Sequence, residues 1–302
     1  DDPRIGPCRN HQRHRKCRGM IALAHSEVAL DPDSFRSIAD LAYQESGLTL
    51  VEEKTSMIQS RLRHRLRALK LDDFAAYCAV LKSDAGRSER RHLISALTTN
   101  VSHFFREAHH FDQLADLFDA RAAALRAGGR MRIWSAGCSN GQEALSAAIT
   151  LAERAPDLSN LDLKILATDI DQNVVQFARD AKYPQRFMRG VTTEMRSKYF
   201  NVTTEANGEK HYSVTPSTRQ LIQFNALNLL GQWPIRTKFD VIFCRNVVIY
   251  FDAETQEHLW PRFLEVLHPD GLLFLGHSER IAEPEKFGFE CIGPTTYRPL
   301  PQ

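Results

Sequence analysis

From Asp33 to about Arg126 the apolar positions recur at helical spacing. In "SFRSIADLAYQESG", Phe35, Ile38, Leu41 and Ala42 share one face, and Gly47 supplies a stop. "VEEKTSMIQSRLRHRLRALKL" continues the spacing with Met57, Ile58, Leu62, Leu66 and Leu69. "DDFAAYCAVLKS" opens on Asp72 or Asp73, either of which suits an N-cap, and "RSERRHLISALTTN" adds another helix. No alternating pattern interrupts this stretch, so residues 31–127 read as an all-helical domain with its linker.

Past Gly128-Gly129 the texture changes. "MRIWSAG", "LKILATD", "KFDVIFCRN" and "GLLFLGH" are short unbroken apolar runs, as strands buried on both faces of a parallel sheet require. Between them lie the helical patterns "QEALSAAITLAERA", "QNVVQFARDAKY" and "AETQEHLWPRFLEVL". The alternation predicts a doubly wound α/β domain over residues 128–302, with ligands at the carboxyl ends of its strands. One segment departs from it. Residues 198–225 place β-rich flanks around Asn207-Gly208, a hairpin signal, and predict a small antiparallel insertion over about 196–222. That insertion reads equally as a surface hairpin or as a docking edge.

Composition narrows the class. The 302 residues are 43% hydrophobic and 25% charged with a net charge of +2, which suits a globular chain and does not suggest a nucleic-acid binder. No apolar run reaches the roughly 18 residues of a membrane span. The start has no apolar core followed by a cleavage site, so no secretory signal is expected. Six cysteines at 8, 17, 78, 138, 244 and 291 form no framework spacing, and reduced thiols in a cytoplasmic protein are the expectation. Residues 1–30 carry a basic cluster and read as a disordered tail. Cys8, His11, His14 and Cys17 within it do not follow a zinc spacing, and the flanking arginines would repel a cation.

The candidate chemistry sits at the strand ends. "RIWSAGCSNGQEALS" runs from a strand through a turn bounded by Gly137 and Gly141 into a helix, which would aim backbone N–H groups and a helix dipole at a ligand. Its glycine spacing is not the dinucleotide fingerprint. "ILATDID" ends the next strand with Asp169 and Asp171. Asp171 suits the cap of the following helix, which leaves Asp169 to accept hydrogen bonds from ribose hydroxyls. "FDVIFCRNVVIYFD" delivers Arg245 and Asn246 to the same edge, with Tyr250 a turn later. An Arg-Asn pair is poor core material, so a substrate or a polar network is expected to hold it.

Taken together, "TTNVSHFFREAHHF", "RIWSAGCSNGQEALS", "ATDID", "FNALNLL", "FCRNVVIYFD" and "GLLFLGHSE" resemble the chemotaxis receptor methyltransferases, the CheR family, over roughly Ser34 to Glu279. The resemblance implies a Rossmann-like class I methyltransferase sheet with a small antiparallel β insertion, preceded by an all-helical N-terminal domain. It implies S-adenosyl-L-methionine as cofactor, S-adenosyl-L-homocysteine as product, and glutamate side chains on the cytoplasmic helices of methyl-accepting chemoreceptors as acceptors. It further implies that Asn100, Ser102 and Arg106 meet the cofactor from the interdomain side, that Glu143 is the cofactor acid and Asp169 the ribose acid. Asn228 and Leu229 match the segment beside the adenine, Arg245 and Asn246 border the same pocket, and Arg106 and Tyr250 match the positions nearest the transferred methyl group. The chain departs from the common family turn at Asn140, Gln142 and Ala144-Leu145, which bears on cofactor affinity rather than class.

A glutamate carboxylate is already ionised near neutral pH, so methyl transfer to it needs no general base, and positioning has to do the work. "SRLRHRLRALK" offers Arg61, Arg63, Arg65 and Arg67 with Lys70 and no acid. It reads either as a solvated helix face or as the surface that captures an acidic receptor helix. His103, His109 and His110 read as packing or surface groups, because adjacent histidines on a helix diverge and no further ligand completes a metal set. A monomer is expected, with a receptor C-terminal peptide as a further partner for the β insertion, and with neither nucleic acid nor membrane insertion. The alternative class is a non-catalytic sensor of S-adenosylmethionine or S-adenosylhomocysteine, which retention of Arg106, Tyr250 and Asp169 disfavours.

Overall fold

The computed structural model describes residues 28–301. The basic cluster and the Cys8, His11, His14 and Cys17 set lie outside the described residues.

Four helices build the N-terminal unit: α1 (Pro32–Ser46), α2 (Thr55–Leu69), α3 (Phe74–Lys82) and α4 (Arg87–Leu97). Asp31 caps α1 by accepting from the Asp33 and Ser34 amides, and Asp73 caps α3 through the Ala76 amide. Their apolar stripes meet in one core of Phe35, Ile38, Ile58, Leu62, Leu66, Phe74, Tyr77 and Leu93. On the polar side of α2, Arg65 grips Glu89 of α4 with Nε and Nη2 at 2.8 and 2.6 Å, and the Tyr77 hydroxyl donates to the same carboxylate at 2.9 Å. Arg61 donates to the Leu97 carbonyl at 2.6 Å and to Thr99 Oγ1 at 2.8 Å. Both cations therefore hold α2 to α4 and the start of the linker. This corrects the expectation that Arg61 and Arg65 present charge to a receptor.

The helical core ends at α4. Helix α5 (His109–Arg126) packs Phe111, Leu114 and Phe118 onto α6 (Gln142–Arg154) and the sheet, so it belongs to the second layer and not to the helical unit. The remaining elements are β1 (Arg130–Ala136), β2 (Asp162–Asp169), α7 (Gln172–Asp180), β3 (Lys182–Pro184), α8 (Thr193–Tyr199), β4 (Phe200–Thr204), β5 (Lys210–Val214), α9 (Pro216–Arg219), β6 (Ile222–Ala226), β7 (Phe239–Cys244), α10 (Ala253–Val266), β8 (Leu267–Leu275), β9 (Phe289–Gly293) and β10 (Thr296–Pro299). The main sheet runs β6-β2-β1-β7-β8-β10-β9. Strands β6 to β8 are parallel and β10 is antiparallel to both its neighbours. The order reverses between β1 and β7, and the cleft of an open parallel sheet forms at such a point.

Strands β3, β5 and β4 form a separate antiparallel sheet whose β4–β5 hairpin turns at Asn207-Gly208. The insertion expected from residue 196 thus begins at Lys182, and it ends before β6, which pairs with β2 in the main sheet. A three-residue strand carries too little pattern to be read from sequence, which is why β3 escaped it.

The two layers meet over the carboxyl ends of the strands. The Thr49 amide donates to the Tyr250 carbonyl (2.9 Å), Asn228 Nδ2 to the Glu45 carbonyl (2.9 Å) and Ser95 Oγ to Asp171 Oδ2 (2.9 Å). Ile170 and Tyr250 pack against the helical core from the sheet side. Among the described residues no helix is long and apolar enough to cross a membrane.

Candidate functional site

A cleft opens where β1, β2, β6 and β7 end, roofed by residues 98–103 and by Ser46 and Leu48. Asn100, Ser102, Arg106, Gly137, Glu143, Asp169, Asn228, Leu229, Arg245, Asn246 and Tyr250 all line it. Arg61, Arg63, Arg65 and Arg67 do not.

The turn after β1 works differently from its expected role. The amides of Gly137 and Cys138 both donate to the Thr168 carbonyl at 2.8 Å, that of Ser139 to Asp169 Oδ2 at 2.8 Å and that of Gly141 to the Cys138 carbonyl at 2.9 Å. The first three N–H groups hold the turn against β2, that of Gly141 closes the turn on itself, and none of the four is left for a ligand. Gly137 is required for close approach: its φ is 93°, and a Cβ there would lie 2.2 Å from Val247 Cγ2.

Asp169 is buried at the last position of β2. Its Oδ2 accepts from Ser139 N–H and its Oδ1 from Asp171 N–H (3.0 Å), leaving one lone pair on each oxygen. Burial pushes its carboxyl up to about 6, against the pull of those two amides. Asp171 caps α7 through the Asn173 amide (2.9 Å), as expected, and also accepts from Asn100 Nδ2 at 2.9 Å. Asn100 thus braces the roof to β2 while it lines the cleft. Asn228 is similarly braced, with Oδ1 accepting from Leu230 N–H at 2.9 Å.

Arg245 forms the charged back wall. Its side chain is 2% exposed and lies between two carboxylates, 3.1 Å from Glu143 Oε2 and 3.3 Å from Glu107 Oε2. It also donates to the Arg106 carbonyl and covers the Phe111 ring at 5.7 Å. Glu143 further accepts from Ser135 Oγ at 2.7 Å. Burial pushes the Glu143 carboxyl upward, opposed by the Arg245 cation and the Ser135 hydroxyl. At Glu107 burial acts in the same direction, but Arg245 and the bonds from His277 outweigh it and hold the carboxyl below its usual range.

The loop that follows β7 is wound around Glu279. This carboxylate is 3% exposed and accepts from the amides of Gly276 (2.6 Å), Asn246 (2.7 Å), Val247 (2.7 Å) and Ile249 (3.2 Å). It thereby fixes the segment that ends in Tyr250. His110 is fully buried, stacks on Phe274 at 4.5 Å and contacts Thr295 Oγ1 at 3.1 Å, so it is a packing residue. Burial, with the charge of Arg245, pushes its imidazole down to about 3 and keeps it neutral.

Sequence reasoning missed Glu107, Ser135, Ser139, Ile170 and Glu279. For Glu279 the signal was present, since an acid two residues past "FLGH" at a strand end has little reason to be buried unless it bonds backbone.

The donor set fits a nucleoside joined to an amino acid. Asp169 has two free acceptor positions for vicinal hydroxyls, Leu48, Ile170 and Leu229 offer apolar surface for a flat base, and Glu143 with Arg245 offers opposite charges to a zwitterion. Comparison with known proteins agrees. A family described as CheR methyltransferase, SAM binding domain, matches residues 100–297, and the CheR methyltransferase all-alpha domain matches residues 33–98. The chain is 44% identical to a probable chemotaxis protein methyltransferase of Rhizobium etli, covering 85% of this chain and 96% of that one. It is 41% identical to the chemotaxis protein methyltransferase of Salmonella typhimurium, covering 89% and 91%, and 40% identical to that of Escherichia coli, covering 89% and 92%. The chain belongs to the CheR methyltransferase family, and its cofactor is S-adenosyl-L-methionine.

Proposed function

We propose that the protein methyl-esterifies glutamate side chains on the cytoplasmic helices of chemoreceptors and releases S-adenosyl-L-homocysteine. The observation that carries this reading is the meeting of Arg106 and Tyr250 in the same cleft as Asp169, Glu143 and Arg245. Asp169 holds the ribose hydroxyls, Glu143 and Arg245 the methionine end, and Asn228 and Leu229 flank the adenine. Asn100, Ser102, Gly137 and Asn246 shape the walls. S-adenosyl-L-methionine supplies an electrophilic methyl group on a sulfonium. The acceptor carboxylate enters ionised, so no residue has to remove a proton. Arg106 orients it without burying it in a tight pair, since the Arg106 side chain is 28% exposed, and Tyr250 offers a hydroxyl beside it. The helical roof keeps water from the reacting groups.

Receptor capture is assigned to the basic residues of α2 that lie outside the cleft, Arg63, Arg67 and Lys70. Strand β4 is the edge of the small sheet and carries a half-exposed Val202, which supports addition of a receptor C-terminal peptide as a further strand. One chain assembles the whole cleft, in keeping with a monomer.

The test is transfer of radiolabelled methyl groups to receptor-bearing membranes. The label is expected on the receptor and is expected to leave as methanol in mild alkali, as an ester does and an N-methyl group does not. Arg106→Ala is expected to abolish labelling, and Arg63→Glu with Arg67→Glu to weaken it at low salt with homocysteine-product affinity unchanged. A receptor left unlabelled by a protein that binds S-adenosylhomocysteine would overturn the reading.

A further inference from the structure

Residues 98–108 leave the helical unit, cross the strand ends and bring Arg106 to the cleft. The turn that does this is conformationally costly: Phe105 and Glu107, on either side of Arg106, have φ of 54° and 57°, the left-handed region that non-glycine residues avoid. Three bonds hold it there. Phe105 N–H donates to Ser146 Oγ of α6 at 2.9 Å, and Arg245 donates to the Arg106 carbonyl. The third anchor is the Glu107 side chain, which is mostly buried. Its Oε2 faces Arg245, the residue after β7, at 3.3 Å, and its Oε1 accepts from His277 N–H, two residues past β8, at 3.3 Å. The same Oε1 lies 3.1 Å from His277 Nδ1 and 3.8 Å from Arg106 Nε. A buried carboxylate in a mobile linker would be costly, whereas one ion-paired with the end of β7 and hydrogen-bonded to the segment after β8 is a fastening.

We propose that Glu107 is a positioning residue for methyl transfer: its carboxylate fastens the turn bearing Arg106 to the ends of β7 and β8. Arg106 touches the reacting groups, and Glu107 acts through it. The inference rests on the methyltransferase reading above for the role of Arg106, and only its activity readout depends on the receptor being the acceptor.

The test is a double-mutant cycle of Arg106→Ala with Glu107→Gln in the full chain, repeated with Glu107→Ala. It is read as affinity for S-adenosylhomocysteine by calorimetry and as kcat and KM for methyl transfer, with melting temperature recorded for every variant. Each single change is expected to weaken binding at least about fivefold, and the pair no more than about twofold beyond the worse single, where independent sites would multiply. Transfer should lose kcat more than receptor KM. Glu107→Gln, which keeps an acceptor for His277 N–H, should bind and turn over better than Glu107→Ala. Singles that multiply, or a Glu107 variant that binds and turns over as wild type, would overturn the proposal. If wild type labels no receptor, the substrate reading fails while the binding cycle still decides the role of Glu107.

Discussion

The proposed role of Asp169 at the ribose predicts a cofactor affinity that depends on pH, with a sign and a size. Its carboxyl sits at about 6, against an ordinary value of 3.8, because burial outweighs its two amide donors. A folded value above the unfolded one means that the group favours the folded chain while protonated. Its contribution is complete below about pH 4 and is lost as pH rises through 6, a cost near 3 kcal/mol at neutral pH for a side chain that is almost fully buried. Two ribose hydroxyls donating to its two free acceptor positions favour the ionised form and offset part of that cost. Binding at pH 5 must then release a proton that binding at pH 7 does not. Affinity for S-adenosylhomocysteine should fall about tenfold, or 1.4 kcal/mol, between pH 7 and pH 5. Calorimetry in buffers of different ionisation enthalpy should find about half a proton released at pH 6. Cys138 lines the same corner, but burial holds its thiol neutral throughout. Glu143 rises in the same direction, so Asp169→Asn isolates the share of Asp169 and should flatten most of the slope. A wild-type affinity that stays level from pH 7 to pH 5, or an Asp169→Asn slope as steep as wild type, refutes the reasoning.

Three further changes separate structure from chemistry. Glu279→Ala leaves four amides without their acceptor and should lower the unfolding free energy by about 3–5 kcal/mol in urea titrations, Glu279→Gln by clearly less; a loss under about 1 kcal/mol contradicts the bonding described. Gly137→Ala forces a side chain into a φ of 93° and against Val247, so it should cost well over about 1 kcal/mol, and Val247→Ala should recover only the contact part of that loss. Glu89→Ala strands the Arg65 guanidinium and the Tyr77 hydroxyl, and is expected to cost about 3–5 kcal/mol in thermal unfolding while S-adenosylhomocysteine still binds as tightly to the folded fraction.

The parts of the fold that were legible in the sequence are those whose physics is local. The strand-turn-helix at Gly137, the cap at Asp171 and the hairpin at Asn207-Gly208 each follow from periodicity and the residue types a turn demands. Asp169, Arg245 and Asn246 were legible because polar groups at the end of an apolar strand need partners. What was not legible depends on residues far apart in the chain. A helical wheel of α2 puts Arg61 and Arg65 on its surface, and nothing within α2 reveals that Glu89 and the end of α4 cover that surface. Glu107 reads as an ordinary linker acid until β7 and β8 place Arg245 and His277 around it. The amides of the Gly137 turn look free in sequence because their acceptors, Thr168 and Asp169, belong to another strand.

The same distinction explains where the molecule stores its conformational cost. Four non-glycine residues with left-handed backbone, Phe105, Glu107, Ser139 and Asn246, line the cleft or flank a residue that does. Each costs on the order of 1–3 kcal/mol and persists only if its surroundings over-determine it. Every one of them is pinned by a buried polar group: Phe105 by Ser146, Glu107 by Arg245, Ser139 by Asp169, and Asn246 by Glu279. A reaction whose nucleophile arrives already ionised gains nothing from a perturbed base at the transfer edge, and gains most from holding donor and acceptor in line. The buried charges of this site accordingly bind backbone and one another, and the residues proposed to lie nearest the transferred group, Arg106 and Tyr250, are carried on turns that those charges hold still.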